Sequence, residues 1–116
     1  MSTKSDYEET VQKTFDQSYE FWKKSKYKEA LAECEKVIAV APDWSEAHNL
    51  RGVILDEMNR SDEAILEYRK AVELDPQNKD AMENLTYAIK TSKSSQKVTA
   101  IQPPGALVLE DRAGAL

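Results

Sequence analysis

Pro42 and Pro76 stand thirty-four residues apart, and each closes a stretch with the same order of residue types. Setting residues 11–44 over 45–78 places Glu29 on Glu63, Ala30 on Ala64, Glu33 on Glu67, Lys36 on Lys70 and Pro42 on Pro76. A unit of this length cannot bury its apolar face alone, so neighbouring copies stack and share a core. The repeat therefore limits the chain to a stacked array of small units. Arrays of this kind usually bind other chains along the surface that stacking creates, and rarely carry out chemistry.

Within each unit the apolar residues recur every three or four positions, the spacing of one helix face. Tyr7, Val11, Phe15, Tyr19 and Trp22 predict a first helix over about 6–24, and Ala30, Leu31, Cys34, Val37 and Ile38 a second over about 26–41. Pro42 ends the second, because its ring disfavours helical geometry in the residue before it. The plan repeats with Ala47, Leu50, Ile54, Leu55 and Met58 over 44–59. Ser61 then offers a cap for a helix carrying Ala64, Ile65, Tyr68, Ala71 and Val72, which Pro76 closes. A fifth helix opens at Asn78, another cap, presents Met82, Leu85 and Ile89, and fades in the small polar stretch 91–96, which reads as a hinge.

Composition fits a small all-helical domain. The chain has 116 residues, 41% hydrophobic and 32% charged, and a chain of that size buries roughly 60 to 70% of its unfolded surface. Sixteen basic against twenty-one acidic residues give a net charge of -5, which works against nonspecific attraction to nucleic acid or anionic lipid. The single cysteine, Cys34, has no internal partner for a disulfide, and a reducing cytoplasmic setting is the expectation. The polar stretch 1–6 lacks the apolar core of a signal peptide, and the longest apolar run near the other end, Ala106 to Leu109, is far too short to span a membrane.

Helix pairs of this period, with Gly52, Leu55, Ala64, Tyr68, Ala71 and Pro76 in register, resemble tetratricopeptide repeats. The second repeat meets the family pattern at all six of those places. In the first repeat the same places hold Ser18, Phe21, Ala30, Cys34, Val37 and Pro42, so an expected aromatic is replaced by Cys34 and an expected small residue by Val37. The resemblance implies an all-α, right-handed superhelical stack of five helices: a tetratricopeptide domain over 1–92, with repeats about 11–44 and 45–78 and a capping helix about 79–92, then a tail over 93–116. The small residues have a steric reason, since helices that pack about 8 to 10 Å apart need alanine, glycine or serine where backbones approach.

The resemblance also implies that the first helix of each pair lines a concave groove. Gln12, Phe15, Tyr19, Trp22 and Lys23 would face it from the first repeat, and Glu46, Asn49, Val53, Asp56 and Glu57 from the second. Asp80, Glu83, Tyr87 and Lys90 would face it from the capping helix. The expected peptide-binding set is Phe15, Tyr19, Trp22, Asn49, Val53, Asp56, Glu57, Glu83 and Tyr87. The family's clamp for the terminal carboxylates of heat-shock chaperones needs lysine and asparagine where this chain has Phe15, Tyr19 and Leu50, so that ligand is not expected. An acidic groove repels a carboxylate-rich tail and suits a basic or apolar segment.

Two alternatives stay open on the residues alone. The stripe Val11, Phe15, Tyr19 and Trp22 faces the groove in the family register, and a one-residue rotation of the first helix buries it instead. The apolar tail around Ile101, Leu107, Val108 and Leu109, with Pro103 and Pro104 favouring an extended form, either docks in the groove as an internal or swapped ligand, hangs free, or covers the last helix. Nothing suggests an enzyme, a cofactor or a metal. His48 has no second ligand at metal spacing, and Cys34 has no histidine beside it in the helical register. The expected function is a non-catalytic protein-interaction module that binds a peptide. The alternative is a structural unit that self-associates through exposed repeat ends or tail exchange.

Overall fold

The computed structural model describes residues 4–92, with side chains from Tyr7 onward; the tail expected to dock or hang free lies outside them. Five helices follow one another among these residues, with no strand: α1 Lys4–Lys23, α2 Tyr27–Val40, α3 Ser45–Glu57, α4 Ser61–Leu74 and α5 Lys79–Thr91. Contacts divide the chain into two compact units, one ending at Leu85 and the other beginning at Thr86, so the division falls inside α5. Within the first unit α1 packs on α2, α2 on α3 and α3 on α4, and α1 also touches α3.

The thirty-four-residue period extends to the backbone. Ser25 and Asn59, equivalent residues, both have φ of 62°, in the left-handed region. Lys26 N donates to Phe21 O at 2.9 Å and Ser25 N to Trp22 O at 2.9 Å; Arg60 N donates to Leu55 O at 2.9 Å and Asn59 N to Asp56 O at 3.0 Å. Each pair is a Schellman motif that satisfies the last carbonyls of α1 and α3 and turns the chain back on itself. At the other turns, Ala41 and Asp75 both leave helical geometry ahead of the following prolines, and Asp75 is extended.

Glycine normally fills the left-handed place in such a motif, and a non-glycine residue there costs about 1–2 kcal/mol. Ser25→Gly is therefore expected to stabilise the chain by about 0.5–1 kcal/mol, once glycine's greater freedom in the unfolded state is offset. Asn59→Gly should gain less, since asparagine tolerates this region. Urea denaturation midpoints check both.

Ser61 is not the cap that the sequence suggests. It is the first residue of α4, and Arg60 holds the cap place with no side-chain cap bond. The Schellman turn fixes Arg60 as the residue that enters the helix, and its guanidinium instead bonds Glu63 through Nε and Nη2, both at 2.8 Å. Asn78 does cap α5: its Oδ1 accepts from Ala81 N at 3.1 Å, while its Nδ2 donates to Ser45 Oγ at 2.8 Å. Ser45 Oγ in turn donates to Ala71 O at 2.7 Å, which ties α3, α4 and the start of α5 through a buried chain of bonds.

Ala30, Cys34, Leu50 and Ile54 are buried together, and Phe15, Phe21, Trp22, Tyr27, Leu31, Ile38 and Met58 pack against them. The two repeats solve the same close approach in opposite ways. In the second, Gly52 leaves room for the Tyr68 ring; a Cβ on Gly52 would lie 2.5 Å from Tyr68 Cε1. In the first, Ser18 has a side chain, and the facing residue shrinks to Cys34. Ser18 Oγ donates to Ala30 O at 2.7 Å and also lies in hydrogen-bonding reach of the Cys34 thiol. The departure from the family pattern at Cys34 is thus one half of a paired exchange. Phe15, Phe21, Trp22 and Tyr27 pack around the cluster that contains Cys34.

Candidate peptide-binding groove

The α1 residues of the expected groove separate by depth. Phe15 and Trp22 are half-buried and pack on the core cluster, whereas Tyr19 is 43% exposed. Phe15 stacks on Trp44 with ring centroids 4.7 Å apart, and Tyr19 on Trp22 at 5.4 Å. Lys23 Nζ sits 5.4 Å from the Tyr19 ring centre, a cation over an aromatic face. The stripe is therefore neither wholly core nor wholly surface. α1 is apolar around more than one face, with Phe21 and the buried Ser18 turned towards α2 while Phe15 and Trp22 lean on the same cluster from the side.

The α3 residues form a second, acidic group. Asp56 Oδ2 accepts from the Tyr68 hydroxyl at 3.3 Å, and Glu57 Oε1 from the Tyr27 hydroxyl at 3.5 Å. Burial first, then the Asp56 carboxylate, pushes the Tyr68 phenol above its ordinary range, so it stays a donor and keeps Asp56 oriented. Val53 and Asn49 are half-buried one and two turns earlier. Asn49 Oδ1 accepts from Asn84 Nδ2 at 3.0 Å, which occupies its oxygen and leaves its own amide hydrogens as the groups on offer. Glu83 is exposed on α5. Tyr87 belongs to the second unit, where it is 67% exposed and accepts from Thr91 Oγ1 through its backbone carbonyl.

The residue types that suggest chemistry are engaged in packing. Cys34 is buried with its thiol donating to Ala47 O at 3.3 Å, and burial pushes its pKa up to about 12, so it is a protonated, inert thiol at neutral pH. His48 bonds Glu67 Oε1 through Nδ1 at 2.8 Å and Pro42 O through Nε2 at 2.7 Å. Among the described residues, no group of three or more histidines, cysteines or acids is placed to hold a metal ion.

Sequence reading singles out His48 but misses the network around it. Arg51 Nη1 reaches Glu67 Oε2 at 2.6 Å and its Nη2 reaches Glu35 Oε2 at 2.8 Å. Burial works against the Arg51 charge, but bonds from Glu35 and Glu67 and their negative charge hold its pKa above the ordinary value. The available signal was spacing: His48 and Arg51 are three residues apart on one face of α3, and Glu67 is flanked in α4 by the packing residues Ala64 and Tyr68. Also missed is a surface hollow of about 240 Å³ lined by Tyr7, Glu8, Val11, Gln12, Ala41 and Trp44.

Helix pairs stacked in a thirty-four-residue register, with a small residue against an aromatic at the closest approach of the second pair, define a tetratricopeptide repeat protein. The chain belongs to that family: the model described as the N-terminal TPR repeats region of Psidin matches residues 13–103. Heat shock protein STI1 of Saccharomyces cerevisiae is 34% identical over 71 residues, which cover 61% of this chain and 12% of that relative. The chain thus spans a small part of the curated relative's length. Tetratricopeptide repeats mediate protein–protein interaction, and no helix among the described residues is long and apolar enough to cross a membrane.

Proposed function

We propose that the chain is a non-catalytic, cytoplasmic interaction module that binds a short basic or apolar peptide along α1, α3 and the start of α5. The observation that carries this reading is the division of side chains just described: Tyr19, Glu57 and Glu83 are exposed beside an otherwise packed core. Asn49 presents amide hydrogens suited to a peptide carbonyl, and Asp56 and Glu57 select positive charge. Leu50 is buried in the core where a carboxylate clamp needs a polar group, which argues against acidic tails as ligands. The chain's own tail, 93–116, is one candidate occupant.

An array of immobilised peptides tests it. Basic apolar sequences should bind and their acidic counterparts should not, with binding that weakens as salt rises. Glu57→Lys combined with Glu83→Lys should reduce the basic signal at least about tenfold, equivalent to about 1.4 kcal/mol. Equal capture of acidic peptides would refute the proposal.

A second reading, self-association, is favoured by a hollow of about 320 Å³ along α1, lined by Lys13, Asp16, Gln17, Glu20, Phe21 and Lys24. Two cations flank two carboxylates around a partly exposed ring, a pattern that a second antiparallel copy complements. Sedimentation over a wide concentration range separates the readings, since a monomer throughout leaves no role for this face in dimers.

A further inference from the structure

The hollow of about 240 Å³ at the amino-terminal end of α1 is lined partly by Tyr7 and Glu8, which precede the first repeat, and it shares Gln12 with the expected groove. It is smaller than the roughly 300–1,000 Å³ of a typical small-molecule pocket, and suits one long side chain. We infer that it is a pocket for an arginine side chain of a bound peptide; the inference rests on the peptide-binding reading and names one residue of the ligand.

The walls are held in place by the fold. Tyr7 is 47% exposed, yet its hydroxyl donates to Val40 O at 2.8 Å, which anchors its ring across the end of α2. Trp44, between α2 and α3, is braced by the Phe15 ring. Val11 and Ala41 are half-buried and give an apolar lining, and Gln12 is turned along its own helix by a bond from Nε2 to Asp16 Oδ1 at 2.9 Å. One charged group lines the hollow: the Glu8 carboxylate, which is exposed and forms no hydrogen bond or ion pair with the described residues.

Two aromatic rings, an apolar lining and one carboxylate that is unpaired among the described residues match the parts of arginine. Its planar guanidinium stacks on tryptophan or tyrosine and pairs with a carboxylate through two parallel bonds, while its methylene stem covers apolar surface. A lysine ammonium is a compact, strongly hydrated point charge that uses the flat rings less well. Gln12 belongs to both the hollow and the groove, so a peptide in the groove can place a side chain here.

The test is an NMR titration of the full chain with a blocked pentapeptide of leucine, alanine, arginine, alanine and leucine, and with the same peptide carrying citrulline, arginine's neutral isostere. The arginine peptide should shift the Trp44 indole, Val11 methyl and Glu8 amide signals saturably. Citrulline in the peptide, or Glu8→Gln in the protein, should each weaken binding at least about fivefold. Equal binding of the citrulline peptide, or an unaffected Glu8→Gln variant, overturns the assignment. Shifts confined to Tyr19, Val53 and Glu57 remove the pocket and leave the groove reading standing, whereas no shift in either region removes both.

Discussion

Gly52→Leu is expected to unfold the chain or leave it barely folded. Even one added carbon at this position falls 2.5 Å and 2.6 Å from Cε1 and Cδ1 of Tyr68, and that ring has little freedom to move. It is buried, and its hydroxyl is tied to Asp56 on the same helix as Gly52. Overpacking of a tight core costs about 1–3 kcal/mol and sometimes more, against a total stability of about 5–15 kcal/mol that a small domain holds towards its lower end. Gly52→Ala recovers about 1 kcal/mol of helix propensity but keeps the clash, so it should still destabilise.

The paired exchange between repeats gives an internal check. Gly52→Ser with Tyr68→Cys copies the first repeat's Ser18 and Cys34. Although the lost ring has its own cost, the double variant should be more stable than the sum of the single effects by about 1 kcal/mol or more. Chemical denaturation followed by circular dichroism gives all three values, and simple additivity would show that the two positions do not share the space.

Trp22→Ala is expected to lose about 2–3 kcal/mol of stability, below the 3–5 kcal/mol of a fully buried tryptophan because the side chain is half-exposed. Its ring packs on the cluster of Ala30, Cys34, Leu50 and Ile54. Tyr19→Ala, at the exposed face, should cost less than about 1 kcal/mol. The contrast sorts the aromatic stripe: a residue that weakens peptide binding with little loss of stability belongs to the groove, and one that does both holds the groove's shape. A Trp22 variant as stable as the parent would place that ring wholly outside the core.

Helix number and order are legible in this sequence because the apolar spacing, the prolines and the small residues each carry a local steric cause. Pro42 and Pro76 keep the residue before them out of helical geometry, and Asn78 caps α5 as its side chain suggests. What escapes a linear reading depends on pairs distant in sequence. Cys34 looks like a fault in the repeat until Ser18 is seen against it. The left-handed turns hide because Ser25 and Asn59 stand where glycine usually signals the motif. The depth of Phe15 and Trp22 is illegible because a helix with apolar residues on several faces has no unique inward side until its neighbours are placed. Tyr7, Glu8 and Trp44 meet only because the end of α2 returns beside the start of α1.

Arg51 bonds Glu35 on α2 of the first repeat and Glu67 on α4 of the second, from α3 between them. In a linear array, stability is the sum of what each unit holds by itself and what adjoining units share, and cooperativity resides in the shared part. One side chain of the second repeat that also bonds the first makes opening either of them a loss for the other.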